Sequence, residues 1–255
     1  DDAIESWKRV LTLDKKNANA HYFLGKVYAM RGMVDAALLN LNKAKSLQPE
    51  NALVNSAIAE VYVLKGELHK AREEWMEAVK LQPKDSKALI NICAVSLDLG
   101  EYNDCIEYGN KVLESGADDA NVRYNMGVAQ MHMGDIDAAI KSLHRALTLT
   151  PGDIPTLLNL GEAYDRNGDH DSAVSTWEKA AEKDPKNPHP YYNLGLSAYK
   201  RGLHEEAYAQ WEKAISTSPT YLPAYVARAN GFVANSKLPE AISEWKRVLE
   251  FDPDS

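Results

Sequence analysis

The chain has 255 residues, of which 45% are hydrophobic and 26% are charged, and its formal net charge is −8. This balance is typical of a globular protein, because enough apolar surface is available to build a core. No run of about 18 apolar residues is present, so we expect no direct insertion into a membrane. The acidic excess also argues against a nucleic-acid partner, because phosphate binding needs clustered basic residues.

The start of the chain suggests an internal part of a longer protein. It opens at Asp1 without a methionine and without a charged and then apolar leader. Two cysteines are too few for a disulfide framework and do not indicate the redox compartment. The localisation therefore stays unknown, with the cytoplasm favoured over the periplasm.

Three residue types recur together with a period of 34 residues. Glycines mark the period at Gly32, Gly66, Gly100, Gly134, Gly168 and Gly202, and Ser236 takes the next place. All five tryptophans fall on a second position of the period: Trp7, Trp75, Trp177, Trp211 and Trp245. Six prolines fall on a third: Pro49, Pro83, Pro151, Pro185, Pro219 and Pro253. A fixed period of this length indicates a stack of similar helical units.

Counted from Ala18, the period gives seven repeats of 34 positions, preceded by the second half of another repeat. The predicted boundaries are 1–17 for the half repeat, then 18–51, 52–85, 86–119, 120–153, 154–187, 188–221 and 222–255. No unit of this size can bury its apolar face alone, so the repeats are expected to stack into one solenoid domain.

Each repeat is predicted to form two helices. An Asn or Asp at position 34, such as Asn17 or Asp85, can accept hydrogen bonds from the free amides at the start of the first helix. Glycine at position 15 suits a left-handed residue that ends the first helix, and proline at position 32 stops the second. Small residues at positions 8 and 20 let the paired helices approach, and the large residue at position 24 fills the space between neighbouring pairs.

The segments YYNLGLSAYKRGLHEEAYAQWEKAISTSPT and ALINICAVSLDLGEYNDCIEYGNKVL resemble the tetratricopeptide repeat. The family pattern has a large residue, Leu-Gly and an aromatic residue in the first helix, then Ala, a large residue and Ala in the second, followed by Pro. The resemblance covers the whole chain. It implies an all-α fold, a right-handed α-solenoid (superhelix) of antiparallel helix hairpins with a concave groove.

The repeat 86–119 departs from this pattern. Gly109 stands at position 24, and a glycine within a helix costs about 1 kcal/mol relative to alanine. We expect this repeat to be the softest of the array, unless a neighbour such as Tyr108 fills the space. Cys93 and Cys105 replace the small pair at positions 8 and 20. A disulfide between them is conceivable, but two reduced and buried thiols are favoured.

Positions 2, 5, 6, 9, 12 and 13 of each first helix face away from the packed residues and are predicted to line the groove. Position 6 carries asparagine in four successive repeats: Asn91, Asn125, Asn159 and Asn193. An amide offers both a donor and an acceptor, so this ladder could pair with the peptide units of an extended chain. Asparagine ladders hold peptide backbones in members of the family that the chain resembles. Alternatively, the ladder reflects only the frequency of asparagine at this position in the family.

Further candidate groove residues flank the ladder. Tyr124 and Tyr192 lie at position 5, and Lys87, Asp165 and Tyr199 lie on the same predicted surface. Aromatic rings with a polar tip suit a binding groove. The tyrosines could equally be scaffold residues that pack against neighbouring first helices, and the charged side chains could be solvated.

No motif for catalysis or for metal binding was found in the sequence. His and Cys residues do not show a ligand spacing, and neither a nucleophile elbow nor a phosphate-binding loop is present. We therefore expect no enzymatic activity, no metal and no cofactor. The predicted function is a protein–protein interaction scaffold that binds an extended peptide, or a helix, of a partner in the groove.

Two alternatives stay open: the substrate-presenting arm of a larger enzyme such as a glycosyltransferase, and a bacterial assembly factor for pili or the envelope. The complete open reading frame would distinguish them. The terminal repeats also carry apolar residues, such as Trp7 and Trp245, with no further repeat to cover them. Exposed apolar surface tends to associate, so we expect end-to-end self-association or a longer parent chain that continues the array.

Overall fold

The computed structural model describes residues 2–252, and this part of the chain forms fifteen α-helices and no strand. The helices are α1 (Asp2–Leu13), α2 (Ala18–Met30), α3 (Val34–Leu47), α4 (Ala52–Leu64), α5 (Leu68–Leu81), α6 (Ser86–Asp98), α7 (Tyr102–Glu114), α8 (Ala120–Met133), α9 (Ile136–Leu149), α10 (Ile154–Arg166), α11 (His170–Lys183), α12 (His189–Lys200), α13 (His204–Thr217), α14 (Leu222–Ala234) and α15 (Leu238–Phe251). None of these helices combines the length and the apolar character that a membrane span requires.

The helices are arranged in two compact units, Asp1–Met133 and Gly134–Ser255. In the first unit, α2–α3, α4–α5 and α6–α7 form hairpins, and the second helix of each hairpin also packs against the first helix of the next. The second unit has the same arrangement in the hairpins α10–α11, α12–α13 and α14–α15. The predicted all-α helical-repeat solenoid is therefore confirmed, while the handedness of a superhelix stays a prediction.

The first helices begin where the sequence predicts them. At six helix starts, an Asn or Asp side chain accepts a hydrogen bond from a backbone amide two or three residues later: Asn17, Asn51, Asp85, Asp119, Asp153 and Asn187. A cap of this kind typically contributes about 1 kcal/mol. The caps therefore fix the start of six of the seven first helices, whereas α14 begins after Tyr221 without a side-chain cap.

The glycines at position 15 adopt the left-handed conformation that the sequence predicts. The six of them have φ values between 70° and 83°. Around Gly32 no side chain comes within 4 Å of an added Cβ, so the backbone conformation and not the space selects glycine there. Ser236, the seventh residue of the series, has φ of 59°. A residue with a Cβ is strained in this region.

Position 8 is small because the residue at position 24 of the same hairpin packs directly on it. A Cβ added to Gly161 would lie 2.3 Å from Nε1 of Trp177, and one added to Gly195 would lie 2.4 Å from Nε1 of Trp211. Each indole then donates to the carbonyl oxygen at position 5, at 3.1 Å for Trp177 and 3.3 Å for Trp211. The ring at position 24 is thus held by packing and by a hydrogen bond.

In the departing repeat, a side chain of the next first helix, α8, occupies the space that the missing ring leaves. A Cβ on Gly109 would lie 2.7 Å from the side chain of Met126 on α8. The expectation that Tyr108 fills this space is therefore wrong, because Met126 is long and flexible enough to reach across. Cys93 and Cys105 are buried free thiols with 3.3 Å between the sulfur atoms. Hydrogen bonding to Cys93 and burial raise the pKa of the Cys105 thiol.

Candidate functional site

The first helices present positions 2, 5, 6, 9, 12 and 13 on one side, which we call the groove surface of each unit. In the first unit, a cavity of about 160 Å³ lies on this surface, and we call it the α4–α6 pocket. Its lining residues are Tyr22, Lys26, Leu53, Ser56, Ala57, Glu60, Trp75, Asp85, Lys87, Ala88 and Asn91. The pocket brings together two predicted site residues, Lys87 and Asn91, from adjacent turns of α6.

The charged groups at the α4–α6 pocket are only partly neutralised. Lys87 Nζ lies 2.6 Å from Glu60 Oε1. The hydrogen bond to Glu60 and its negative charge raise the pKa of Lys87. The Lys26 ammonium lies 5.6 Å from the centre of the Tyr22 ring and has no carboxylate partner within residues 2–252. The pocket therefore offers one unpaired positive charge at its edge.

The four predicted asparagines occupy equivalent places on successive first helices within each unit. Asn91 and Asn125 lie on α6 and α8 of the first unit, and Asn159 and Asn193 lie on α10 and α12 of the second. All four are half-buried. The amide of Asn159 donates to the carbonyl oxygen of Pro155 at 3.0 Å. The side-chain amides of the other three have no hydrogen-bond partner in the described part of the chain, so their donors and acceptors are available to a ligand.

The groove surface of the second unit carries a larger and more apolar cavity of about 720 Å³, between α12 and α14. It is lined by Tyr192, Leu196, Tyr199, Trp211, Leu222, Pro223, Val226, Ala227, Asn230, Gly231 and Ala234. Two predicted site residues, Tyr192 and Tyr199, therefore share one cavity. Its aliphatic wall was not predicted, because our sequence reasoning looked only for polar and aromatic residues at these positions.

The predicted tyrosines are both groove residues and packing residues. Tyr192 is half-buried, meets the Tyr221 ring edge-to-face at 5.6 Å, and has a pKa raised by burial. The Tyr199 ring lies 5.6 Å from the Trp211 ring and 4.7 Å from the His204 ring. Tyr124 is half-buried on α8. Packing fixes the Tyr192 and Tyr199 rings in place and leaves part of each ring available at the surface.

Asp165 does not project freely into the groove. Its side chain is 6% exposed and accepts hydrogen bonds from Ser197 at 2.5 Å and Lys200 at 3.1 Å, and it contacts His170 Nδ1 at 3.0 Å. Burial by itself would raise the pKa of this carboxyl, but the hydrogen bonds from Ser197, Lys200 and His170 outweigh it and hold the pKa below its usual value. Asp165 thus ties the α10–α11 hairpin to α12.

Trp75, on the second helix α5, is a residue of the α4–α6 pocket that our sequence reasoning missed. It lines the α4–α6 pocket, is 4% exposed, and its Nε1 is buried without a hydrogen-bond partner. Ser56 Oγ, on the same pocket wall, is also buried without a partner. One signal in the sequence could have drawn attention to this ring: position 8 is Ala59 here, whereas four other repeats have glycine at this position. Within the described residues, no cluster of three or more His, Cys, Asp or Glu could hold a metal ion.

The two terminal helices differ in how they cover their apolar residues. On α1, the Trp7 ring stacks on Phe23 at 4.9 Å, so this tryptophan is not left uncovered. On α15, Val248 is buried in the core, whereas Ile242 is 55% exposed and Trp245 is 37% exposed. Among the two helices, α15 therefore carries the more exposed apolar stripe.

Three family models match the chain, two described as "Tetratricopeptide repeat", over residues 130–196 and 188–221, and one as "TPR repeat", over residues 1–32. No curated protein matches the chain in sequence. Similar solved structures include YrrB, described as a TPR protein with an unusual peptide-binding site, at 23% identity and a TM-score of 0.62, covering 72% of this chain and 95% of that chain.

Two further solved structures share the fold. MamA is 28% identical with a TM-score of 0.60, covering 64% of this chain and 95% of its own. The APC/C hetero-tetramer Cut9–Hcn1 is 19% identical with a TM-score of 0.63, covering 100% of this chain and 50% of that chain. The hairpins stack, and their first helices line surfaces that carry cavities and unpaired amides. This arrangement is that of a helical-repeat scaffold for protein–protein interaction. The family models thus identify residues 1–32 and 130–221 as tetratricopeptide repeats.

Proposed function

We propose that the chain binds an extended peptide, or a helix, of a partner protein along its groove surfaces. The observation that carries this proposal is the set of half-buried amides of Asn91, Asn125 and Asn193, which have no partner within residues 2–252. Buried polar groups in proteins are normally hydrogen-bonded. An amide that is half-buried and unpaired therefore favours a ligand that supplies both an acceptor and a donor, as a peptide unit does.

The cavities on the same surfaces support side-chain recognition beside this backbone recognition. The α4–α6 pocket of the first unit is polar and carries Lys26, Glu60 and Lys87. The cavity of the second unit is lined mainly by aliphatic and aromatic side chains and is large enough for an apolar side chain. The same fold carries a peptide-binding site in YrrB. We infer that the two units select different side chains of a partner.

The proposal is tested by removing the unpaired amides. In the triple variant Asn91→Ala, Asn125→Ala, Asn193→Ala, we expect partner affinity to fall at least tenfold, because each hydrogen bond contributes about 0.5–1.5 kcal/mol. Partners captured from a lysate with the unmodified chain would first be identified by mass spectrometry, and their affinities would then be measured by calorimetry.

The matched control is the double variant Asn42→Ala, Asn110→Ala, which removes exposed asparagines from the second helices α3 and α7. Its affinity should stay unchanged, and circular dichroism should show the same helicity for all three proteins. Equal binding by the triple variant and the control would contradict groove binding.

Self-association through α15 is a separate proposal that rests on the exposed Ile242 and Trp245. Exposed apolar stripes favour association. The variant Ile242→Lys should then reduce the apparent mass in sedimentation equilibrium at high protein concentration. A chain that is monomeric before the substitution would remove this proposal and would leave the groove proposal unaffected.

A further inference from the structure

We propose that Trp75, Ser56 and Asn91 form a donor site in the α4–α6 pocket that binds an acceptor oxygen of the partner, either a side-chain carboxylate or a main-chain carbonyl. This inference rests on the proposed groove binding and adds the chemistry of one subsite. It assigns a ligand contact to Trp75, whereas the equivalent residues Trp177 and Trp211 use their indole N–H within the protein.

The indole N–H of Trp75 is unpaired because of a single methyl group. In the hairpins α10–α11 and α12–α13, position 8 is glycine, and the indole at position 24 donates to the carbonyl at position 5. A Cβ at position 8 would lie only 2.3–2.4 Å from those Nε1 atoms. In the hairpin α4–α5, Ala59 supplies this Cβ, so the Trp75 ring cannot take the same place. Its Nε1 is correspondingly buried without a partner.

The last hairpin shows the same relation between position 8 and the indole. There position 8 is Ala229, and Trp245 Nε1 has no hydrogen bond within residues 2–252. Trp245 is 37% exposed, so water can satisfy its N–H, whereas Trp75 is 4% exposed and lines the α4–α6 pocket together with Ser56. An unpaired donor in a buried place costs free energy. The Trp75 N–H is therefore the donor that gains most from a ligand.

The other polar groups of the pocket leave donors in excess. The carboxylate of Glu60 is engaged by Lys87, and that of Asp85 accepts from the backbone amides of Lys87 and Ala88. The Trp75 N–H and the Ser56 hydroxyl are buried without a partner. The half-buried Asn91 amide has no hydrogen bond within residues 2–252. An occupant that completes these bonds has to bring an acceptor oxygen.

The size of the pocket and its remaining charge fit a small acceptor group. The volume of about 160 Å³ corresponds to roughly five water molecules of about 30 Å³ each, which is enough for a group the size of an acetate ion. The unpaired ammonium of Lys26 at the edge is favourable for a carboxylate. If an extended peptide is hydrogen-bonded to the Asn91 amide, its main-chain carbonyl oxygen can accept from the same donors, the Trp75 N–H and the Ser56 hydroxyl.

The test uses the full chain labelled with ¹⁵N and two probes, acetate and N-methylacetamide. Each of the five tryptophans gives one indole N–H resonance in a heteronuclear NMR spectrum. We expect the Trp75 resonance to shift saturably with at least one probe at millimolar concentration. The resonances of Trp177 and Trp211, already hydrogen-bonded, should move at least fivefold less. Acetate binding would indicate a carboxylate side chain, and N-methylacetamide binding a main-chain carbonyl.

The variant Ala59→Gly gives the sharpest control. It removes the Cβ that displaces the ring, so Trp75 should donate to the carbonyl of Ser56 and the probe-induced shift should fall at least fivefold. Ala229→Gly makes the same substitution in the second unit and should leave the Trp75 response unchanged. The variant Asn91→Ala removes a second donor. It should lower the affinity for the probe and leave the Trp75 indole resonance of the probe-free chain unchanged.

The inference is overturned if neither probe shifts the Trp75 resonance saturably, which is the result expected if an ordered water alone satisfies the N–H. It is also overturned if Ala59→Gly leaves the shift intact. Neither result depends on the macromolecular partner, so the donor site can fail while the asparagine variants still abolish partner binding. If a probe binds at Trp75 but the asparagine variants leave partner binding unchanged, the groove proposal is removed and the donor site remains as a small-ligand pocket.

Discussion

The substitution Gly195→Ala is the most direct test of how position 8 and position 24 depend on each other. The added Cβ would lie 2.4 Å from Nε1 and 2.5 Å from Cδ1 of Trp211. Trp211 is 1% exposed, so neighbouring side chains enclose most of the ring. The indole must shift within the core and lose its 3.3 Å hydrogen bond to the carbonyl of Tyr192.

The expected change in the free energy of unfolding combines two destabilising contributions and one stabilising contribution. The lost hydrogen bond costs about 0.5–1.5 kcal/mol, and the overpacked ring costs about 1–3 kcal/mol. Alanine is a better helix former than glycine by about 1 kcal/mol, which opposes the other two. We therefore expect Gly195→Ala to destabilise the protein by about 1–3 kcal/mol.

The assay has to be local, because repeat arrays do not always unfold in one cooperative step. Urea unfolding followed by circular dichroism gives the overall change, and hydrogen exchange at the amides of α12 and α13 gives the local one. In a Trp211→Phe background, which has a smaller ring and no N–H, the same alanine should cost less, and a double-mutant cycle measures the coupling. A stabilisation of about 1 kcal/mol by Gly195→Ala, as helix propensity alone predicts, would refute the packing argument.

The remaining predictions concern single features of the array. Trp211→Ala should cost about 3–5 kcal/mol in urea unfolding, because a large and fully buried side chain is removed. Ser236→Gly should stabilise the protein by about 1 kcal/mol, seen as a higher Tm, because glycine relieves the strain at a positive φ. The pKa of Asp165 is lower in the folded than in the unfolded chain, so its stabilisation is complete above a pH of about 4 and is lost as the pH falls below it. Asp165→Asn should remove this part of the dependence of Tm on pH. Hydrogen exchange should show α7 opening before the other second helices, and uniform protection would contradict its predicted softness.

Much of the fold could be predicted because its determinants are local in sequence. The caps at position 34 and the left-handed glycines at position 15 each act within a few residues, and a period of 34 residues repeats them along the chain. These signals place the helix boundaries without any knowledge of long-range contacts. Residue type alone would not predict the positive φ of Ser236, because serine does not favour this conformation. Its place in the 34-residue period does predict it.

The candidate site was less predictable because its properties depend on residues distant in sequence. The helical period places Asp165 on the groove surface, but Ser197 and Lys200, 32 and 35 residues later, bind its carboxylate. The space beside Gly109 is filled by Met126 from the following helix α8, a contact that no local pattern specifies. A repeat period fixes which positions face each other, whereas the side chains at those positions decide whether a polar group is used internally or is left for a ligand.

Position 8 shows how one residue can separate these two uses within the same scaffold. With Gly161 or Gly195, the neighbouring indole N–H is consumed by the backbone and contributes only to stability. With Ala59, the ring still fills the core, at 4% exposure for Trp75, but its N–H stays unpaired beside the α4–α6 pocket. The unpaired donor costs stability in the absence of a ligand, and a partner that supplies an acceptor regains that free energy on binding. If Ala59→Gly stabilised the chain without affecting either probe in the pocket, the alanine would be a neutral packing variant, and the distinction between structural and binding tryptophans would be wrong.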